Sequence, residues 1–458
     1  MNHLSKALDR ITPPSAEWRE KANERLRQQA RPAGSLGVLE EVGARLAGIA
    51  RTLDVRLARK VIVTCAGDHG VCAEGVSLFP AEVTPQMVYN FVKGGASINV
   101  LARHAGAEVK VADLGVNWDF EPDLPIFHKK IRKGTDNLAR GPAMTRDAAV
   151  QSIEAGIEIV GELLADGPVD LLGTGDMGIG NTTPSTAIIA AFSGLPVDQL
   201  TGRGTGVDDE GLRRKVAVIE KGLAINQPDP RDALDVLAKV GGFEIGGLAG
   251  LVIGAAANGI PVVCDGFIAT AGALVACELA PAARDYLFTS HYSVEVGHRY
   301  MLTRLDRKPL LDLQFRLGEG TGAAAAMVAR KARDKVLIAT KVAGRSSVID
   351  WLRDDPMLSR QTPAQMREAI DKSLTRLQTD YVDLYQLHWP DRPIRVFEGL
   401  EYRRLGDDAH NIHEILDVLG ELVASGKVRF VIETAASVSP QVRTRGAGKA
   451  LVVELRRK

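Results

Sequence analysis

Four times in its first 265 residues the chain runs a short, mostly β-branched stretch into a glycine-bearing turn, and this rhythm constrains the fold more than any other feature. The pairs are Val61–Thr64 before AGDHG, Val109–Ala112 before DLGV, Val169–Leu172 before GTGDMGIG and Pro261–Cys264 before DGF. Strands of this kind, alternating with helical segments, predict an α/β domain built on a parallel sheet. Apolar spacing places helices over Ala148 to Leu164 and Gly211 to Ala224.

The glycines then thin out. Of 46, residues 1–327 hold 39 and residues 328–458 hold 7, which marks a second architecture from about Ala329. There Lys335–Thr340 reads as a strand, and Thr362-Pro363-Ala-Gln365 supplies an N-cap, a first-turn proline and a capping-box partner. Met366, Ile370, Leu374 and Leu377 share one face of the helix that follows. Tyr381–His388 reads as a strand, Ile412–Ala424 as a helix ending at Gly426, and Val428–Ile432 as another strand. The basic stretch 434–458 has no evident register with what precedes it and is left unassigned.

Composition narrows the partners. At 45% apolar and 25% charged, 458 residues give an ordinary globular chain of two or three domains. Lys+Arg and Asp+Glu each number 57, so no basic excess exists to drive binding to nucleic acid. Four cysteines (Cys65, Cys72, Cys264, Cys277) make no disulfide framework, and MNHLSKALDRITPPS lacks the apolar core of a secretory signal, so the cytoplasm is expected. The apolar run GLAGLVIGAAA (247–257) is shorter than the roughly 20 residues a membrane helix needs.

Two glycine-rich loops carry the chemistry. Gly173-Thr-Gly175-Asp-Met-Gly178 satisfies G-x-G-x-x-G after a strand, but Ile179-Gly180-Asn181-Thr182 delays the helix to Thr183/Pro184, and no strand-end acid stands ~20 residues on to hold a ribose. Three readings follow: a dinucleotide loop, a phosphate cradle of backbone N–H groups at a helix start, or a plain connector. Arg316-Leu-Gly-Glu319-Gly-Thr-Gly322 sets one carboxylate among glycines, which suits either a desolvated base or a solvated loop residue. Asp68 and His69, with Cys65 and Cys72 close by, match no common zinc spacing, and no metal is expected.

Residues 1–327 resemble the nicotinate-nucleotide:dimethylbenzimidazole phosphoribosyltransferases. The matching stretches run in order: RPAGSLGVLE (31–40), AGDHGV (66–71), GDMGIGNTTPS (175–185), INQPDPRDALDVLAKVGGFEIGGLAG (225–250), DGFIATAGALVAC (265–277), SHYSVE (290–295) and RLGEGTGAA (316–324). The resemblance implies a homodimer, no metal or cofactor, and transfer of phosphoribose from nicotinate mononucleotide to 5,6-dimethylbenzimidazole. It places the catalytic base on Glu319 and a second acid on Asp176, one methylene shorter than the Glu of many members. Lys215 matches the family's site lysine, there to favour the phosphate or to hold the acidic residue ionised. Gly178, Ile179, Gly180, Asn181, Thr182 and Gly204 would line the phosphate, with Ser293 from SHYSVE also at the substrate. Met177, Leu317, Phe79, Pro80 and Met87 would bound the flat base, Phe79 and Met87 standing where some members carry polar residues.

The later stretches RDKVLIATKV (333–342), WLRDDPMLSR (351–360), AIDKSLTRLQTDYVDLYQLHWPDRP (369–393) and GELVASGKVRF (420–430) resemble the inside of an aldo-keto reductase. Lys341 and His388 fit two places of that family's catalytic tetrad. Its Asp and Tyr would fall where the first domain stands, and a closed barrel takes ~250 residues, far more than 329–433 supplies. The expected organisation is therefore α/β throughout. A parallel-sheet phosphoribosyltransferase domain with helical N- and C-terminal elements (1–328) precedes an incomplete (β/α) barrel segment (329–433) and the tail. Phosphoribosyl transfer is the expected activity; a catalytically silent fusion that retains nucleotide binding, and an NADPH-dependent reductase, are the alternatives.

Overall fold

The computed structural model describes residues 3–29, 34–328, 339–342, 362–377, 382–387, 412–432, 439–444 and 451–456. They belong to two compact units, residues 1–330 and 331–458.

The first unit is built on six strands: β1 (Lys60–Gly67), β2 (Ala107–Gly115), β3 (Phe127–His128), β4 (Leu171–Met177), β5 (Val262–Cys264) and β6 (Leu287–Thr289). All pair in parallel, in the order β3-β2-β1-β4-β5-β6. Successive side chains of a strand point to opposite faces, so Val61, Val63 and Cys65 of β1 join one core while Ile62 and Ala66 join the other. Helices Arg146–Ala165 and Phe243–Ala257 fill the first core, and Ser97–Ala105 and Thr321–Val328 the second. A strand covered on both faces reads as a near-continuous apolar run, as VIVTCA does. The stretch GLAGLVIGAAA lies in the buried helix Phe243–Ala257, where its apolarity serves packing. Among the described residues no helix is long and apolar enough to cross a membrane.

The two helices expected from spacing are present as Arg146–Ala165 and Asp209–Asn226. Their starts are fixed by side chains: Thr145 accepts from the Ala148 N–H, and Asp208 from the Gly211 N–H. Helices His3–Arg10, Ala16–Arg27 and Val38–Ala50 precede the sheet, and a small parallel pair, β7 (His291–Ser293) and β8 (Leu311–Phe315), follows it.

One expectation is corrected. GTGDM is not a turn but the body of β4, and the next helix starts at Thr182. These glycines serve close packing: a Cβ on Gly175 would lie 2.4 Å from the Glu319 carbonyl oxygen, so the strand must be bare for the 318–320 loop to lie against it.

The second unit is a five-stranded sheet of β9 (Ala339–Val342), β10 (Val382–Leu387), β11 (Val428–Ile432), β12 (Ser439–Thr444) and β13 (Leu451–Arg456), in the order β12-β13-β11-β10-β9. Helices Pro363–Leu377 and Ile412–Ala424 bury Met366, Ile370, Leu374, Ile415 and Leu419 with Tyr385 of β10. The N-cap is in place, Thr362 Oγ1 accepting from the Gln365 N–H at 3.2 Å. The strand expected from Lys335 is described only from Ala339 and runs on to Val342. Lys341 stands in β9 opposite Gln386 of β10, and His388 lies outside the described residues. The tail, expected to lack register, has one: β12 and β13 form an antiparallel pair, and Leu451 and Val452 of β13 pair in parallel with Phe430 and Val431 of β11.

Candidate active site

In an open parallel sheet, the chain leaves its strands in opposite directions where the strand order reverses, and this opens a crevice beyond their carboxyl ends. Here the reversal falls between β1 and β4. A cavity of about 550 Å3 has in its wall Asp176 and Met177 at the end of β4, and beyond them Gly178, Ile179, Gly180, Asn181 and Thr182. The wall also includes Phe79, Gly204, Ser293 and Leu317, all expected from the sequence, and, among others, Ser97, Asp265's neighbours Gly266 and Phe267, His291, Glu295, Phe315 and Arg316.

Three carboxylates gather near the end of β4: Asp176, which lines the cavity, and Glu319 and Asp265, which lie behind its wall. Glu319 is only 5% exposed and has a positive φ of 63°, between Gly318 and Thr321, which both line the cavity. Its position is stapled to the two central strands: its N–H donates to the Asp176 carbonyl at 3.1 Å, and its own carbonyl accepts from Thr64 Oγ1 at 2.8 Å. Its Oε2 accepts from the Ile98 N–H at 3.2 Å, in the first turn of helix Ser97–Ala105. Burial, with the negative field of Asp265 behind it, raises the pKa of Glu319, and the Ile98 N–H limits the rise. Asp265 is itself fixed by the N–H groups of Gly320 (3.0 Å) and Ala323 (3.1 Å), and so anchors the loop that carries Glu319. Asp176 is held well above the carboxylate range, first by burial and then by Asp265. Its Oδ2 accepts from Asn181 Nδ2 at 2.9 Å, while its Oδ1 is buried without a partner. Such an atom is costly unless something fills its valence.

A buried cation stands behind Thr182 and Gly204 of the wall. Lys215, fully buried on helix Asp209–Asn226, donates to Thr182 Oγ1 at 2.7 Å and to the Gly202 carbonyl at 3.3 Å. Burial pushes its pKa down to about 8, against the opposing field of Glu295. Lys215 and Asp176 therefore have different hydrogen-bond partners, Thr182 and Gly202 for the first and Asn181 for the second.

The loop itself is braced from behind. The Ile179 N–H donates to Thr84 Oγ1 at 3.2 Å, and the Ile179 carbonyl accepts from the Cys72 thiol at 3.0 Å. Gly178 is bare because a Cβ there would lie 2.3 Å from the Gly67 carbonyl oxygen, so strand β1 and not a ligand imposes the glycine. His69 faces Glu244 at 2.9 Å, both buried, in place of any arrangement with Cys65 and Cys72. Of the expected residues, Pro80, Met87, Glu319 and Lys215 are not among those lining the cavity: Met87 packs against the second core, Glu319 stands behind Gly318 and Thr321, and Lys215 behind Thr182 and Gly204. Sequence reasoning did not single out Asp265, His291 or Glu295. Asp265 ends the strand–glycine pattern at DGF, and SHYSVE holds the other two, so the same strand-end rule points to all three: Asp265 just after β5, His291 just after β6 and Glu295 just after β7.

Comparison with known proteins decides the family. The phosphoribosyltransferase family model matches residues 11–336. A protein of Geobacter sulfurreducens named nicotinate-nucleotide–dimethylbenzimidazole phosphoribosyltransferase is 60% identical over 327 residues, which is 71% of this chain and 93% of that protein. The chain belongs to this family. A member from Syntrophobacter fumaroxidans is 58% identical over 350 residues, 76% of this chain and 99% of its own. The crystal structure of CobT from Thermus thermophilus, 47% identical, superposes with a TM-score of 0.66 over 68% of this chain and 93% of that one. The aldo/keto reductase family model matches residues 318–438, overlapping the phosphoribosyltransferase match at 318–336.

Proposed function

We propose that residues 1–328 transfer phosphoribose from nicotinate mononucleotide to 5,6-dimethylbenzimidazole, giving α-ribazole 5′-phosphate and nicotinate, a step in making the lower ligand of cobalamin. The observation that carries this reading is the make-up of one cavity wall: Asp176 with the buried Glu319 held directly against it, Thr182 at a helix start with the buried Lys215 behind it, and apolar side chains from Phe79, Met177, Phe315 and Leu317. The leaving nicotinate is bound to C1′ as a cationic pyridinium. When that bond breaks, its electron pair neutralises the ring, so no acid is needed. The benzimidazole nitrogen forms the new bond to C1′, and a base must remove the benzimidazole N–H proton. Glu319 takes that proton; a buried carboxylate of raised pKa is a stronger base than an exposed one. The partnerless Oδ1 of Asp176 hydrogen-bonds a ribose hydroxyl. Thr182, Gly204 and Lys215 hold the phosphate, where the N-terminus of helix Thr182–Ser193 favours negative charge. Leu317, Phe79, Phe315 and Met177 flank the planar base.

No metal or cofactor enters this chemistry. The chain works as a homodimer in the cytoplasm: Tyr292 and Leu313 of the β7–β8 sheet, with Val294 and Val296 beside it, are large exposed apolar residues that a second copy would cover, and all four cysteines are free thiols. Residues 329–433 are a reductase-like segment without reductase chemistry, and the tail 434–458 adds β12 and β13 to its sheet. Purified chain supplied with both substrates should form α-ribazole 5′-phosphate and nicotinate in equal amounts; consumption of neither substrate refutes the assignment. Light scattering at twice the chain mass is the matching expectation for the dimer.

A further inference from the structure

Glu295 belongs to no role so far described. It sits between β7 and helix Gly297–Arg304, lines the cavity, and is 5% exposed. Its Oε1 accepts from the Gly204 N–H at 2.9 Å, while its Oε2 is buried with no hydrogen-bond partner. That oxygen lies 2.2 Å from where a Cβ on Gly202 would be, so the carboxylate is seated directly on the 202–204 turn. Lys215 grips the same turn from the other side through the Gly202 carbonyl, and a Cβ on Gly204 would lie 3.2 Å from its Nζ. Two buried charges of opposite sign thus hold one short turn whose last residue, Gly204, lines the cavity beside Thr182. An isolated buried charge is expensive, and each of these offsets the cost of the other.

Building on the reading of this cavity as a phosphoribosyltransferase site, we infer that Glu295 is a positioning residue: its carboxylate sets the Gly202–Gly204 turn that receives the substrate's phosphate and stands as the countercharge to Lys215, which holds the same turn. The surroundings leave Glu295 as the charge in command of Lys215. From helix Thr182–Ser193 Lys215 meets the uncharged Thr182, and in the 202–205 loop Arg203 is turned away to Asp209. Glu295 is the group whose field raises the Lys215 pKa against burial. Taking that charge away moves the lysine further below its value of about 8, into the range where it is neutral at ordinary pH.

Glu295→Gln tests this, because the amide oxygen still accepts from the Gly204 N–H while the charge is lost. The first measurement needs no ligand: the 13Cε shift of Lys215 in lysine-labelled protein, assigned with Lys215→Met and followed from pH 6 to pH 10. The signal should titrate at clearly lower pH in Glu295→Gln than in wild type; titration at the same pH overturns the inference. The second is calorimetric binding of nicotinate mononucleotide. The wild-type to variant affinity ratio should be smallest near pH 6 and rise by about tenfold at pH 9 for each unit by which the lysine has dropped. The phosphate's own second ionisation, near pH 6, is common to both proteins and cancels in the ratio. A ratio that does not change with pH overturns the role toward the phosphate and leaves Glu295 a spacer. Wild-type protein that binds no mononucleotide refutes the proposed function instead, and the lysine titration still decides the pairing.

Discussion

Glu319 shows how much a single residue's surroundings set its chemistry. A left-handed backbone conformation is costly for a residue with a Cβ, and it is retained here where two flanking glycines let the loop press against β4. Glu319→Gln should lower kcat by about 10²-fold or more, the ordinary scale for losing a general base, while calorimetry finds mononucleotide affinity little changed. Turnover within about threefold of wild type would remove Glu319 from that role. The base works only when ionised, and its pKa is raised, so kcat/KM should fall as the pH drops through a value above 4.5. A pH–rate profile checks this: the acid limb belongs to Glu319 if it disappears from the residual activity of the Gln variant.

At the scale of elements, β4 is where sequence and structure part most instructively. The pattern of strands and glycines is enough to foresee a parallel sheet, and the ordered motifs are enough to single out Glu319, Asp176 and Lys215, of which Asp176 lines the cavity and the other two stand behind its wall. The glycines of GTGDMG, however, look alike in sequence whether they bend a chain, admit a ligand or admit another piece of backbone. Gly175 and Gly178 do the last, and only the approach of residues 319 and 67 reveals it. Glu295 is hidden for a related reason: its partner is a backbone N–H some 90 positions away, and no local spacing encodes that. Gly178→Val looks an attractive probe of the phosphate, but its side chain would strike the Gly67 carbonyl first. Gly175→Ala makes the cleaner experiment. It should cost about 1–3 kcal/mol of stability through overpacking, read by denaturant unfolding, and depress kcat more than mononucleotide binding because it displaces the loop that holds the base. Unchanged stability and kcat together would show that the strand has room to spare.

For the whole molecule, two units of unlike ancestry share one chain, and chemistry is expected from one. Lys341→Ala and His388→Ala should leave α-ribazole 5′-phosphate formation at the wild-type rate, and the chain should oxidise no NADPH with aldehydes above a blank, since hydride transfer needs a held nicotinamide and a proton donor. Aldehyde-dependent NADPH loss that vanishes in His388→Ala would overturn this. The reductase-like unit has a different problem to solve. A closed barrel has no edges, whereas an open sheet of five strands has two, and each is a template on which further chains can stack. The outermost strand on one side is β12, whose sequence SPQVRT brings Pro440, unable to donate to a new neighbour, and the charged Arg443; at the other edge, β9 carries Lys341. Among the described residues, then, a proline on one border and a lysine on the other are the kinds of residue that keep a sheet's border from recruiting another chain and growing into a fibril.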